Sequence, residues 1–262
     1  MEQLKNIKEK IFDFHVHIGQ FEEIYYSPHK IIEVLHLCGV SGAYISSTTS
    51  CIQWSNDKEK FLITEHIKDE FNEAIENAKE LNFDVRPLYW VIPQRHFDGD
   101  KLEEIFRETE YKGFKIHPRA HEWNLSDERI KNLMNEICGF ASIKKFPILI
   151  HTGICEFERP EKFEEFYKKY PEVIFILAHC KAVKSVIKLF SKYKNIYGDT
   201  AFCDFSSLKE INEAGFSERM LFGTDFPITN FFLGIKTNNK AKLIKQYKKF
   251  LSEELGSFFT VL

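Results

Sequence analysis

The amino-acid sequence predicts an α/β protein built as a (β/α)8 TIM barrel, and two features support this. First, eight short apolar runs alternate with longer amphipathic stretches rich in Lys and Glu. The alternation repeats roughly every 33 residues, which suits a strand followed by a helix. Second, the chain has no glycine-rich phosphate loop of the kind that opens many doubly wound sheets, so the closed barrel is favoured over that open sheet. We expect one barrel domain over residues 1–262.

The apolar runs have the features of strands that are buried on both faces. They are about five to eight residues long, rich in Ile, Phe and Val, and most end at Gly, Pro or a polar residue. In chain order, the predicted strands cover residues 11–18, 43–47, 85–92, 113–117, 146–151, 173–179, 195–200 and 220–225.

Capping residues and a change to helical periodicity predict the helices between these strands. Pro28, preceded by Ser27, is expected to begin the first helix, and Gly39 to end it. Ser126 is expected to cap a later helix, and Pro160 to open another. Apolar residues at helical spacing also predict one long helix or two short ones over residues 57–81, and further helices over residues 183–190 and 240–251.

Composition and charge argue against several classes of protein. Lys and Arg number 36 against 39 Asp and Glu, a net charge of -3, so the chain lacks the basic surface expected of a nucleic-acid-binding protein. No apolar run reaches the length of about 18 residues that a membrane span needs. The six cysteines lie far apart without a CxxC pair, and the first residues lack an apolar leader, which together predict a cytoplasmic protein with reduced thiols.

Polar residues gather where the predicted strands end. Five of the eight strands end in such residues, namely His15 and His17, Lys115 and His117, His151, His179, and Asp225. In a barrel, the C-terminal ends of all strands open onto the same rim, where barrel enzymes have their active sites. We therefore expect these side chains to meet at that rim.

His15 and His17 have a spacing that suits metal binding. Residues i and i+2 of a strand share a face, so the two imidazoles can bind one ion together. With His151 and Asp225 they supply three or four nitrogen and oxygen ligands and leave a position for water, which suits Zn²⁺ at distances of roughly 2.0–2.2 Å. The same ligand set also accepts Mn²⁺, Fe²⁺ or Co²⁺.

The chain closely resembles the amidohydrolase superfamily in five segments, which are FDFHVHIG, YKGFKIHP, ILIHTG, FILAHC and LFGTDFP. The nearest branch is amidohydrolase-2, which contains metal-dependent hydrolases and aminocarboxymuconate-semialdehyde-decarboxylase-like enzymes. The resemblance covers about residues 11–227, and the five segments are specific as a set. It implies a distorted (β/α)8 barrel with one or two divalent ions at the rim.

The resemblance also implies roles for individual residues. His15, His17 and His151 match metal ligands on the first and fifth strands. Asp225 matches the eighth-strand acid that contacts both metal and water, and it is the expected general base. His179 matches the sixth-strand histidine, which in this family either polarises the substrate or binds a second ion.

Two departures from the family pattern leave the number of ions and the subfamily open. Many two-metal relatives carry a bridging Glu or a carboxylated Lys on the fourth strand. Lys115 is the candidate here, with His117 near it in the same strand. The KIHP motif, however, also occurs in branches of the family in which that lysine does not bridge two ions. The C-terminal tail lacks the Asn-Ala ending that is frequent in the branch.

Residues near the strand ends are candidates for supporting roles. Arg119 and Arg159 suit a substrate carboxylate, because a guanidinium binds it through two hydrogen bonds. Asp13 shares the predicted face of His15, and it is a candidate to orient an imidazole N–H, as is Asp199. The tryptophans that could line the pocket are Trp54, Trp90 and Trp123.

These residues together predict a hydrolase that uses a metal ion to cleave an amide, lactone or ester bond of a small molecule, and the ligand types favour zinc. Two other reactions stay open. The first is decarboxylation, as in the lyases of the same branch, and the second is phosphoester hydrolysis of the TatD type. A metal-loaded binding protein without turnover is a further alternative. A homodimer is one option for the assembly, because barrels of this type often pair.

Overall fold

Parallel strands form the centre of the structure, a computed structural model that describes residues 11–53 and 55–252. Each of the eight predicted strands has a counterpart, although the third is divided in two at Leu88. The strands of the described residues are β1 (Ile11–Phe21), β2 (Ile24–Tyr26), β3 (Val40–Ser47), β4 (Asp84–Pro87), β5 (Tyr89–Trp90), β6 (Phe114–Ile116), β7 (Ile148–His151), β8 (Phe175–Ala178), β9 (Ile196–Asp199) and β10 (Met220–Leu221).

Helices follow the strands and surround them. They are α1 (Pro28–Leu37), α2 (Asp57–Glu80), α3 (Pro93–Phe97), α4 (Leu102–Glu108), α5 (Glu128–Lys144), α6 (Glu164–Lys169), α7 (Val183–Lys192), α8 (Phe205–Glu213), α9 (Ile228–Phe232) and α10 (Lys240–Phe250). Short 3-10 turns cover Thr48–Cys51, Glu156–Glu158, Pro160–Phe163 and Ser217–Arg219. None of the helices described over residues 11–53 and 55–252 is long and apolar enough to cross a membrane.

The helix starts agree with the predictions at Pro28 and differ at two other positions. The predicted cap Ser126 is wrong, because α5 begins at Glu128 and Ser126 lies one residue before the capping position. Asp127 caps α5 instead and accepts a hydrogen bond from the backbone of Arg129. The segment that Pro160 opens begins as a 3-10 turn and becomes the helix α6 only at its end.

The strands form two hydrogen-bonded sheets that together make a barrel. One has the order β2-β1-β3-β4, with β2 antiparallel to β1, and the other has the order β10-β9-β8-β7-β6-β5. On one side the sheets meet at Leu88, whose N–H donates to Ile45 while that of Tyr89 donates to Gly113. The interruption at Leu88 is therefore the place where the third strand changes partners.

The barrel closes on the other side between β1 and the segment after β10. Phe14 donates its N–H to the carbonyl of Phe222 at 2.8 Å, and Asp225 donates its N–H to the carbonyl of His15 at 2.7 Å. These bonds place the first and the eighth predicted strands side by side. His15 and Asp225 therefore become neighbours although they lie at opposite ends of the described chain.

A register shift in β1 separates Asp13 from the histidines that follow it. The pairing of β1 with β3 shifts between Asp13 and Val16, which is the signature of a bulge, and a bulge re-aims the side chains beyond it. Phe12 and Phe14 pack with the inner cluster of side chains from β3, β7 and β8. Asp13 instead accepts a hydrogen bond from Tyr247 of α10.

Asp13 is a buried junction between the barrel and the last helix. Its carboxylate accepts hydrogen bonds from the hydroxyls of Tyr247 and Thr224, both at 2.7 Å, and from the backbone of His15 at 3.0 Å. Burial raises the pKa of Asp13 to about 7. The predicted contact of Asp13 with an imidazole ring is wrong, because the bulge turns the carboxylate towards the helices.

Replacing Tyr247 by Phe tests this junction. We expect the free energy of unfolding to fall by about 1–3 kcal/mol, because the buried carboxylate of Asp13 loses a donor. Urea denaturation followed by circular dichroism measures the change. Tyr193→Phe is the matched control, since its hydroxyl contacts Glu164 near the surface and should matter by less than about 0.5 kcal/mol. Equal losses in the two variants would contradict the role of Asp13.

Candidate active site

The polar residues at the strand ends meet at the C-terminal rim of the barrel. His15 and His17 come from β1, Lys115 from β6 and His179 from the residue after β8, while Asp225 follows β10. All five are buried, with at most 6% of each residue exposed to solvent. The expectation that these side chains gather at one rim is therefore met by the geometry.

The side chains of His15, His17 and Asp225 point potential metal-ligand atoms at one another. Nε2 of His17 lies 2.7 Å from Oδ1 of Asp225, and Nε2 of His15 lies 3.2 Å from the same oxygen. The two Nε2 atoms are 3.2 Å apart. This group of two imidazole nitrogens and one carboxylate oxygen has the composition of a divalent-metal site.

The rings of this group are held from behind by two further polar residues. Nδ1 of His15 donates to Oδ2 of Asp199 at 2.7 Å, which leaves the lone pair of its Nε2 facing the site. The hydroxyl of Ser46 lies 3.0 Å from Nδ1 of His17 and fixes that ring. A carboxylate behind a ligating histidine is the usual support for a metal-binding imidazole. The residues present therefore fit a divalent ion.

The electrostatics of the group suit metal binding. Burial holds the pKa of His15 well below its usual range, so the ring is neutral and can act as a ligand. Burial alone would raise the pKa of Asp225, but the neighbouring His15 and His17 outweigh it and hold that pKa well below its usual range. Burial raises the pKa of Asp199 to about 6.

His151 does not join the group of His15, His17 and Asp225. Among the described residues there are two groups of three potential metal ligands, and in each group the three ligand atoms all lie within 4.8 Å of one another. His151 belongs to neither group. Its Nδ1 lies 3.0 Å from Nε2 of His179, and its Nε2 lies 3.4 Å from Oε1 of Glu158. The fourth ligand that the sequence suggested therefore lies in a neighbouring position.

His179 is placed between the two parts of the site. With His15 and Asp199 it forms the second group of potential ligands. Its Nδ1 donates to the carbonyl of Ala201 at 3.1 Å, and burial lowers its pKa to about 3. The neutral ring therefore presents a lone pair at Nε2, which suits binding an ion.

Lys115 and His117 lie on the other side of the rim. Nζ of Lys115 donates to Nε2 of His15 at 2.8 Å, and burial lowers the pKa of the amine to about 8. The ring of His117 stacks on that of His151 at 3.8 Å and on that of Trp90 at 5.7 Å. Within the described residues His117 belongs to neither group of potential ligands.

A cavity of about 880 Å³ opens above these residues. Arg119 lines it, as predicted for a substrate contact. Arg159 does not line it: its side chain is about half exposed, and its guanidinium lies 3.9 Å from a carboxylate oxygen of Glu161. Trp90 is part of the wall. Trp123 packs in the core instead, and Trp54 lies outside the described residues.

Sequence reasoning missed several residues of the site. Ser46 lies in the Ser/Thr-rich run that ends β3, and attention to hydroxyls as well as histidines at strand ends would have found it. Glu158, Lys181 and Phe202 follow strands at more variable distances and line the cavity. No spacing rule marks such loop residues, because loops place side chains irregularly.

The comparison with protein families decides the classification. A family model described as Amidohydrolase matches residues 63–255, which is more than half of the chain. The chain belongs to the amidohydrolase family. The match includes the strands that carry His151, His179 and Asp225 and begins after β1, so His15 and His17 lie outside it.

Solved structures share the barrel fold of this family member. A TatD-family hydrolase from Entamoeba histolytica has a TM-score of 0.53 at 13% identity, covering 87% of this chain and 78% of that chain. A phosphotriesterase homology protein from Escherichia coli, in complex with phosphate, has a TM-score of 0.51 at 10% identity, covering 89% and 94%. N-acetylneuraminate lyase from Mycoplasma synoviae has a TM-score of 0.50 at 15% identity, covering 97% and 86%. At these identities the likeness shows the fold, a distorted (β/α)8 barrel.

A comparison with the curated proteins finds no match.

Replacing Asp199 by Asn tests the support behind His15. We expect zinc affinity to fall by about 10–100-fold, because an amide holds the imidazole less firmly than a carboxylate does. Competition with a chromogenic chelator measures the affinity. Asp204→Asn is the control in the same loop, since Asn caps α8 as well as Asp does. Unchanged zinc affinity in the Asp199 variant would show that this contact does not support a metal ligand.

Proposed function

We propose that this amidohydrolase-family protein is a metal-dependent hydrolase that cleaves an amide, lactone or ester bond of a small molecule. The observation that carries the proposal is the convergence of His15, His17 and Asp225 at the rim, beneath a cavity of about 880 Å³. That volume suits a small-molecule ligand. His15, His17 and Asp225 would hold a divalent ion, with zinc the first choice for this ligand set.

The bound ion, Asp225 and Arg119 would each have a separate role in such a reaction. When bound, a divalent ion supplies a Lewis acid that polarises a carbonyl and makes water more acidic. Asp225 is ionised at neutral pH, because its pKa lies well below the usual range, and it can accept a proton at Oδ1. Arg119 in the cavity wall would bind an anionic part of the substrate.

The tautomer of His179 favours one of the two roles expected for it. Because its Nδ1 donates to Ala201, the neutral ring has no proton at Nε2 with which to stabilise an oxyanion. The lone pair at Nε2 instead suits binding a second ion beside Asp199. We therefore propose His179 as a ligand of such an ion.

Asp225→Asn tests the proposed general base. We expect kcat on a panel of lactones, esters and amides to fall by about 10²–10⁴-fold, because the amide cannot accept the proton. Thermal melting of the variant in zinc shows whether the fold is intact. Asp204→Asn should retain the wild-type rate, since Asp204 caps α8 away from the cavity lining. Unchanged turnover in the Asp225 variant would contradict its role.

Removing the metal tests the cofactor and the reaction type together. Treatment with a chelator should abolish turnover, and Zn²⁺ or Mn²⁺ should restore it, because the chain supplies the ligands but no strong electrophile. In H₂¹⁸O the organic product of hydrolysis should carry the label, whereas release of CO₂ together with an unlabelled organic product would establish the decarboxylase alternative. Full activity after metal removal, confirmed by elemental analysis, would contradict the proposal.

A further inference from the structure

Phe202 has a backbone conformation that its residue type does not favour. It lies in the turn after β9, where the N–H of Cys203 donates to the carbonyl of Thr200 at 3.0 Å. Its φ is 53°, in the left-handed region. A positive φ at the third position of a turn favours Gly or Asn, so a bulky aromatic residue there is strained.

The candidate site itself holds this turn in place. The N–H of Ala201 donates to Oδ1 of Asp199 at 3.2 Å, and its carbonyl accepts from Nδ1 of His179 at 3.1 Å. His179 and Asp225 also have positive φ, of 71° and 54°. A residue with positive φ therefore follows each of β8, β9 and β10. After β8 and β10 that residue is His179 or Asp225, which belong to the proposed chemistry, and after β9 it is Phe202.

Burial does not explain why a phenylalanine stands at this position. Its side chain is only partly buried and lines the cavity. The ring packs edge-on against His179 at 5.5 Å and against Phe232 at 6.1 Å, and Phe232 is itself 66% exposed. Nζ of Lys181 lies 5.3 Å from the ring centroid. An aromatic wall thus runs from His179 to the mouth of the cavity.

We propose that Phe202 is a specificity-determining residue that selects substrates with a flat, unsaturated ring beside the scissile bond. Strained backbone at a cavity wall persists where the surrounding contacts impose it, and it concentrates at ligand-binding positions. An aromatic ring of the substrate gains by packing on another in offset or edge-on geometry, which a puckered saturated ring cannot reproduce. This inference rests on the proposed hydrolase function, because it places the scissile bond beside His179.

The test compares two bicyclic lactones, dihydrocoumarin with a flat aromatic ring and octahydrocoumarin with a saturated one. Because a phenolate leaves more readily than an alkoxide, the comparison uses the ratio of the two rates in each variant relative to the same ratio in the wild type. In Phe202→Gly and Phe202→Leu, kcat/KM for dihydrocoumarin relative to octahydrocoumarin should fall by about threefold to tenfold, the range expected for one aromatic contact. The melting temperature of Phe202→Gly should not fall, because Gly adopts a positive φ without strain. Phe202→Leu retains bulk and strain, so its loss of preference isolates the ring.

Lys145→Gly is the matched control. Lys145 has a φ of 58° at the end of α5, outside the cavity lining, so Gly should relieve strain there and leave the lactone preference unchanged. A lower melting temperature for Phe202→Gly together with unchanged preference in both Phe202 variants would overturn the proposal, since the ring would then serve packing alone.

A binding measurement separates this inference from the function on which it rests. If the wild-type protein hydrolyses neither lactone, the proposed function fails for this class, and calorimetric titration with dihydrocoumarin still reports on Phe202. Weaker binding of dihydrocoumarin by both variants, with octahydrocoumarin binding unchanged, would support the specificity role. Equal binding of dihydrocoumarin by the wild type and both variants would overturn it.

Discussion

Closure of the barrel between β1 and the segment after β10 is the constraint on which the candidate site depends. The backbone bond between Asp225 and His15 brings the two ends of the described chain together, and the side chains then meet at the rim. The junction of Asp13 with Thr224 and Tyr247 lies directly behind this seam. Barrel stability and site geometry are therefore linked, because both depend on the same few buried contacts.

Charge balance gives a physical reason for a cation at this rim. Asp199 and Asp225 are both buried, and the amine of Lys115, also buried, lies at the same rim. Burying carboxylates is unfavourable unless opposite charge and hydrogen bonds compensate. Lys115 is itself desolvated, which lowers its pKa to about 8. A divalent ion between His15, His17 and Asp225 would supply the missing positive charge.

The sequence predicts the strands and the convergence of their ends because parallel strands of a barrel all point one way. That rule correctly brings His15, His17, His179 and Asp225 to one rim. It fails for Asp13, because a bulge in β1 breaks the strict alternation on which the shared face was inferred.

Other details depend on contacts that no pattern in a single sequence records. The tautomer of His179 follows from the carbonyl of Ala201, and the divided third strand follows from a change of partners at Leu88. Arg119 and Arg159 stand in similar loops after strands, yet only Arg119 lines the cavity. Loop conformation decides such cases, and it is set by the whole fold rather than by local residue type.

Diffraction from crystals grown with zinc, recorded at the zinc absorption edge, is the sharpest test of a metal site at this rim. We expect one anomalous peak at about 2.0–2.2 Å from Nε2 of His15, Nε2 of His17 and a carboxylate oxygen of Asp225. A second peak beside His179 and Asp199 would extend the site to two ions. Crystals with no anomalous peak at the rim, in which His17 and Asp225 keep their direct 2.7 Å contact, would contradict it.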